Sequence, residues 1–369
     1  MSGDSLGEMF RVTSFGESHG KCVGVVVEGC PAGLKISEQM VQEELDRRRA
    51  VQTIYSTPRM EEDKVEIVSG VFNGFTTGAP ICMIVWNREF DSKPYDSIRF
   101  TPRPGHADYT AYMKYGGFND YRGGGRFSGR ITIGFVMAGA VAKKILSILD
   151  IEVIAYTVEI AGIRAKVKDI LEVKENVRKS VVGCPDLEAS NMMIEAISSA
   201  KEDGDSVGGV IECVALNVPV GLGEPVFKTL EGELARAFYA IPGVKGVEFG
   251  AGFDVAKMRG SENNDQYILK GGHVVTRTNN CGGVLGGISN GMPIVCRVAV
   301  KPPSSISREQ DTVDLARMEE TKLKVVGRHD ACIVPRALPV VESMMAIVLV
   351  DNAIKAGIIP RVLRGWEYG

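Results

Sequence analysis

Apolar residues recur along this chain in two rhythms, and each predicts a set of elements. Val23–Glu28 is a β-branched run that closes on Gly29-Cys30-Pro31, which reads as a strand running into a turn. Ser37 fits a helix N-cap. The helix it opens carries Met40, Val41, Glu44 and Leu45 and ends at Arg47–Arg49, where cations suit the helix dipole. Further strands are predicted over Lys64–Val71, Ala79–Val85, Ile151–Ile163, Gly208–Val218 and Gly291–Val300. Further helices are predicted over Phe135–Asp150, Met192–Asp203 and Gly232–Tyr239. A last helix starts with Pro339 at its first position, runs to about Lys355 and stops at Gly357. It is apolar nearly all round, so it belongs in the centre of the molecule. The Phe135–Asp150 helix reads as buried too, with Ala138, Gly139, Ala140 and Ala142 along it. The fold class expected is α+β, with antiparallel sheets covering buried central helices. One domain spanning residues 1–369 is expected. The element order is equally compatible with two pseudo-repeat halves breaking within residues 150–208 and with no duplication.

Composition narrows the function classes. Hydrophobic residues make up 44 % of the 369-residue chain and charged residues 24 %, as in globular proteins. The formal net charge of −3 argues against a general nucleic-acid binder. Any anion site must therefore be a local concentration of Arg, Lys and backbone N–H groups. The most apolar stretches, Ala337–Val350 and Val136–Leu149, are interrupted by Glu342 and by Lys143–Lys144, so no membrane span is expected. Met1–Glu8 contains acidic residues and no Arg or Lys, and reads as neither a secretory signal nor a transit peptide. The expected location is cytoplasmic. The eight cysteines stand singly, without C-x-x-C, and are expected to be reduced thiols.

The candidate chemistry sits in glycine-rich loops. Glycines cluster at Gly116–Gly117, Gly123–Gly125, Gly271–Gly272, Gly282–Gly283 and Gly286–Gly287. Such clusters permit tight turns and close backbone approach to a ligand. Three of the four histidines lie in polar, glycine-rich contexts: His19 in Phe15–Gly20, His106 in Arg103–Asp108 and His329 in Gly327–Asp330. A single such histidine is more often structural; three of four are harder to dismiss. Arginines recur beside them. Arg103 and Arg328 stand near His106 and His329, and Arg126 and Arg130 flank Phe127-Ser128-Gly129 after the triple glycine. Arg is the preferred fork for phosphate and carboxylate. Lys301-Pro302-Pro303-Ser304-Ser305 adds a cation, a rigid turn and two hydroxyls after a strand. The pattern points to an enzyme built around a phosphate-bearing, strongly anionic ligand. The chain has no P-loop, no complete dinucleotide fingerprint and no zinc spacing.

Taken in order, Phe15–Gly20, Arg103–Asp108, Gly123–Arg130, Gly204–Gly209, Val244–Gly252, Arg277–Gly291, Lys301–Ser305 and Arg328–Glu342 resemble the chorismate synthase family over nearly the whole chain. The resemblance implies a β-α-β sandwich, commonly a homotetramer, that binds reduced FMN. It implies a 1,4-anti elimination of phosphate from 5-enolpyruvylshikimate 3-phosphate to give chorismate, without net redox change. His19 matches the family residue assigned to protonate the leaving phosphate. His106 matches the one placed at the N1–C2=O edge of the flavin, and Asp330 the carboxylate near flavin N5. Ser18 and Ser128 match hydroxyls that tie these groups together. Substrate contacts implied by position are Arg48, Arg59, Arg103, Arg130 and Arg328. Cofactor contacts implied are Arg126, Phe127, Ser128, Gly243, Gly286, Lys301, Pro302, Pro303, Ser304, Ser305 and Arg328.

Three departures stand out. Phe127 replaces a usual Ser, and Pro242-Gly243 replaces a usual Asn-Ala. Ile54 stands where a family arginine is expected, with Arg59 as its shifted counterpart. NADPH as an indirect reductant, or a separate flavin reductase as partner, is compatible with the resemblance. A flavoprotein or phosphosugar-binding module without lyase activity is the alternative class. No metal, nucleic-acid or membrane partner is expected.

Overall fold

The computed structural model describes residues 3–49, 63–88, 92–96, 98–325 and 329–364. The first half of the chain builds one antiparallel sheet from β1 (Ser5–Leu6), β2 (Arg11–Gly16), β3 (Cys22–Glu28), β4 (Val65–Ser69) and β5 (Ile81–Trp86), with helix α1 (Glu38–Arg49) between β3 and β4. The strand order is β1-β2-β3-β5-β4. Ser37 Oγ accepts from the Met40 N–H at 3.2 Å, which is the cap read from the sequence. A short helix α2 (Asp108–Tyr115) and a long helix α3 (Thr132–Leu146) follow.

The second half supplies β6 (Glu152–Ile160), β7 (Ile163–Arg164), helix α4 (Leu187–Glu202), β8 (Gly209–Leu216), helix α5 (Leu230–Tyr239), β9 (Val244–Phe249), β10 (Ile294–Val300) and helix α6 (Val334–Lys355). Its sheet runs β9-β10-β8-β6-β7. Ile294, Cys296, Val298 and Val300 of β10 alternate inward, the period of a half-buried strand.

Helices α3 and α6 pack against each other between the two sheets, α3 against β3 and α6 against β6, β8 and α5. They meet at Gly139, where a Cβ would lie 2.1 Å from the Ser343 Cβ. This explains the glycine in α3: at that point the two helices come too close for a methyl group. Both helical segments are long and apolar enough to cross a membrane, yet 72 % and 94 % of their apolar windows are buried inside the protein. The charges that interrupt them meet each other. Glu342 takes a fork from Arg47 at 2.7 and 2.9 Å and a bond from Lys143 at 2.5 Å. Helix α6 starts five residues earlier than the sequence suggests: Pro335 takes the first-turn position and Pro339 lies inside. At the far end of α6, Asp351 accepts the backbone N–H groups of Glu8, Met9 and Phe10 at 2.9, 2.6 and 2.8 Å. Gly271–Gly272 turn a hairpin, Tyr267–Lys270 with His273–Thr276, that has no counterpart in the sequence reading.

Candidate functional site

The loop between β2 and β3 delivers Ser18 and His19. Both are buried, at 2 % and 4 % exposure. Asn87 fixes the loop by donating to the carbonyls of Glu17 and Gly20 at 3.0 and 2.9 Å. The loop leans on the triple glycine through a Ser18 N–H bond to the Gly125 carbonyl at 3.2 Å. Gly123, Gly124 and Gly125 all have positive φ, at 58°, 81° and 50°. The reason is visible in what a side chain would meet. A Cβ on Gly123 would lie 2.3 and 2.4 Å from His19 Cδ2 and Nε2, and one on Gly124 would lie 3.2 Å from His106 Nε2. Consecutive glycines thus carry the two imidazoles.

His106 and Arg103 enter from the loop before α2. Asp108 organises them: its carboxylate takes the Arg103 fork at 2.7 and 2.8 Å and stands 2.6 Å from His106 Nδ1. Burial acts to raise the Asp108 carboxyl, but bonds from Arg103 and His106 hold it well below the usual carboxylate range. Arg103 then donates to Ser305 Oγ at 3.0 Å. That bond brings in the turn after β10, where Lys301 and Ser304 both bond the Gly105 carbonyl at 2.7 Å. Burial and then Lys245 push the Lys301 ammonium below its ordinary value. Two cations close enough to disfavour each other suit an anion.

A second cationic group lies between α1 and α3. Arg48 is buried and donates to Thr132 Oγ1 and the Gly129 carbonyl, each at 3.1 Å. Asp63 sits 3.7 Å from Arg48 and takes Arg130 at 3.0 Å. Arg130 also donates to Asn87 at 2.6 Å, so the same Asn holds the His19 loop and this arginine. Burial, then Arg336, push Arg48 down to about 9 against the pull of Asp63. It remains a cation at neutral pH, but one short of counter-charge. Asp330 accepts from Arg336 at 2.8 Å. The neighbouring His329 is lowered by burial and then by Arg103, and its buried Nδ1 has no hydrogen-bond partner among the described residues. The electrostatic coupling of Asp330 to Arg48, and of His329 to Arg103, joins the two cationic groups into one region.

Comparison with known proteins decides the family. A family model described as chorismate synthase matches residues 10–354. The chain belongs to the chorismate synthase family. It is 59 % identical over 361 residues to a chorismate synthase of Dehalococcoides mccartyi strain BAV1, covering 98 % of this chain and 99 % of that protein. It is 53 % identical to that of Methanococcoides burtonii, covering 97 % of each. A solved structure described as chorismate synthase superposes with a TM-score of 0.76 at 33 % identity, covering 95 % of this chain and 93 % of that one. The chain is therefore an enzyme of this family with an α+β fold.

Of the site residues read from the sequence, Ser18, His19, Arg103, His106, Lys301, Ser304 and Ser305 form one contact chain across the triple glycine. Ser128 caps the turn carrying Arg130, its Oγ accepting from the Arg130 N–H at 3.3 Å. The Gly243 carbonyl accepts from the Lys301 N–H at 2.9 Å, and Pro303 accepts from Ser206 at 2.7 Å with Pro302 between them in sequence. Arg126 is turned onto β2, donating to the carbonyls of Ser14 and Gly16 at 3.2 and 3.0 Å and to Asp4 at 2.6 Å. Phe127 is 38 % exposed. Gly286 sits in a turn between Val284–Leu285 and Ile288–Ser289. The next residue, Gly287, accepts from the Leu230 N–H at 2.9 Å. Ile54, Arg59 and Arg328 lie outside the described residues. Sequence reasoning gave no role to Asp63, Asn87, Asp108, Thr132 or Arg336. For Asp108 a signal existed, an acid two positions after a histidine at a helix start. Asp63, Asn87 and Thr132 are recognisable only through contacts distant in sequence.

Proposed function

We propose that this chain eliminates phosphate from 5-enolpyruvylshikimate 3-phosphate to form chorismate, with reduced FMN as cofactor. The observation that carries the reading is the pair of imidazoles on consecutive glycines, flanked by two groups of arginines. The substrate holds two carboxylates and a phosphate, so clustered guanidinium groups match its charge. The donor set also fits the cofactor. The Lys301–Ser305 turn offers an under-compensated cation and hydroxyls for a phosphate, and the missing side chain of Gly124 lets its backbone pass close to His106 Nε2. When bound, reduced FMN would supply electron density to the substrate ring and weaken its bond to phosphate.

The residues of this chain do the rest. Arg48, Arg103 and Arg130 bind and orient the anionic groups, with Arg59 and Arg328 as further contacts by position. His19, buried against Gly123, gives a proton to the departing phosphate oxygen, lowering the cost of its charge. His106 faces the cofactor edge. Asp330, held by Arg336, serves the hydrogen that leaves C6. One proton and one phosphate leave, and no electrons are gained or lost overall. The same reading carries a homotetrameric assembly, a cytoplasmic location, and supply of reduced FMN through NADPH or a separate flavin reductase.

The test is anaerobic incubation with the enolpyruvyl substrate, FMN and dithionite, following phosphate release and chorismate absorbance together. His19→Ala and His106→Ala should each lower turnover by about 10- to 10³-fold. Wild-type turnover in either variant would overturn the role given to that histidine. Flavin binding without phosphate release in the unmodified protein would favour the non-lyase flavoprotein.

A further inference from the structure

We propose that Asp108 is a positioning residue that fixes which nitrogen of His106 carries its proton. The two carboxylate oxygens are both committed. Oδ2 takes Arg103 Nε at 2.7 Å and the Arg103 backbone N–H at 3.1 Å; Oδ1 takes Arg103 Nη2 at 2.8 Å and stands 2.6 Å from His106 Nδ1. An ionised carboxylate can only accept hydrogen bonds. Arg103 Nη2 also lies 3.2 Å from Nδ1 and 3.3 Å from Nε2, but it is already donated to Oδ1 at 2.8 Å; the shortest contact of the ring is the 2.6 Å approach of Nδ1 to the carboxylate, and that contact is satisfied only when Nδ1 bears a proton. Nε2, the atom that a methyl group on Gly124 would meet at 3.2 Å, is then the nitrogen presented to a ligand. The Arg103 fork adds rigidity, because a guanidinium that also reaches Ser305 prevents the carboxylate from swinging away. The arrangement is an acid–imidazole dyad in which the acid orients and the imidazole acts.

The geometry makes a specific prediction for Asp108→Asn. Arg103 has only donors and brings two of them, Nε and its backbone N–H, to the Oδ2 position against one, Nη2, at Oδ1, so the single amide oxygen of the new side chain takes the Oδ2 position. The amide NH₂ is left facing His106 Nδ1, which must then accept. The proton moves to Nε2 and the tautomer is inverted in an isosteric variant.

This inference rests on the reading of His106 as a ligand-facing group, so the experiment separates the two. The ligand-free, full-length protein labelled with ¹⁵N-histidine is measured by NMR, with His106→Gln identifying the signals of His106 among the four histidines. The unmodified protein should show a proton on Nδ1, shifted downfield by its carboxylate partner. Asp108→Asn should lose that signal and gain protonation at Nε2, while Asp108→Glu should retain the original tautomer. Turnover in Asp108→Asn should fall by about 10- to 10³-fold, and His106→Ala should mask the effect, so that the double variant is no slower than His106→Ala alone. An unprotonated Nδ1 in the unmodified protein, a measurement that needs no variant to fold, would overturn the proposal. So would an unchanged tautomer in Asp108→Asn. An inverted tautomer with unchanged turnover would uphold the role of Asp108 and overturn that of His106.

Discussion

Replacing Gly123 by Ala is the sharpest perturbation of the site available without touching a reacting side chain. Two costs can be worked out. The backbone φ of +58° places a non-glycine residue in the left-handed region, which costs on the order of 1–2 kcal/mol. The new methyl group would start 2.3 Å from His19 Cδ2 and 2.4 Å from Nε2, whereas ordinary contact begins at 3.4 Å. His19 must retreat by about 1 Å, and a shift of that size at a reacting group costs roughly 10²-fold in rate. The ring has little freedom to do so. Ser92 Oγ holds Nδ1 at 3.0 Å, Tyr95 packs edge-on at 5.2 Å between centroids, and the residue is 4 % exposed. The expected result is turnover lowered about 100-fold in the anaerobic chorismate assay, with circular dichroism at assay temperature unchanged. Gly260→Ala serves as the control, because nothing lies within 4 Å of its added Cβ. Turnover of Gly123→Ala within threefold of wild type would refute the contact between the glycine turn and the imidazole as the reason for a glycine there.

Two more predictions follow from the charges around α1. Arg48→Lys should raise the substrate KM more than tenfold with a smaller change in kcat, since an ammonium cannot hold Thr132, the Gly129 carbonyl and a ligand anion in one plane; an unchanged KM in steady-state kinetics would count against its role. Glu342 is held down to about 2 because Lys143 and Arg47 outweigh its burial. A carboxylate with a depressed folded pKa contributes stability that is present above its unfolded value, near 4.5, and is lost as pH falls toward about 2. The contribution is on the order of 3 kcal/mol. Urea midpoints of the unmodified protein should fall steeply across that window. Those of Glu342→Gln should be lower at neutral pH and flatter in acid, and parallel curves for the two proteins would show that Glu342 is not the group responsible.

Local rules carried much of the fold. Ser37 capped α1 where expected, and the β-branched runs at Val23–Glu28 and Ile294–Val300 became central strands. Helix starts were the weaker part. Leu187 opens α4 five residues before the expected Met192 because Asp186 caps it, bonding Glu188 and Ala189 N–H groups at 3.1 Å. The exposed hairpin at Tyr267–Thr276 escaped notice because it buries little and shows no alternation. Within the site, residue type and glycine context were enough to single out His19, His106 and the arginines as candidates. Their partners were not legible. Asp63 joins Arg48 to Arg130 through contacts that depend on where helices cross rather than on neighbours in the chain, and Arg336 holds Asp330 from the first turn of α6. Arg126 illustrates the converse. Its place beside the triple glycine gives no sign of where a long guanidinium will reach, and it reaches the carbonyls of β2.

Arg47 and Arg48 are successive residues with opposite employment: one is anchored to a carboxylate in the middle of the protein, the other to Thr132 and the Gly129 carbonyl in the candidate site. A single peptide unit therefore couples interior integrity to grip on the ligand. On acidification, protonating Glu342 would slacken α1 at its C-terminal turn while both sheets still stand. Affinity should fade at a higher pH than far-ultraviolet ellipticity, so inactivation would come before unfolding.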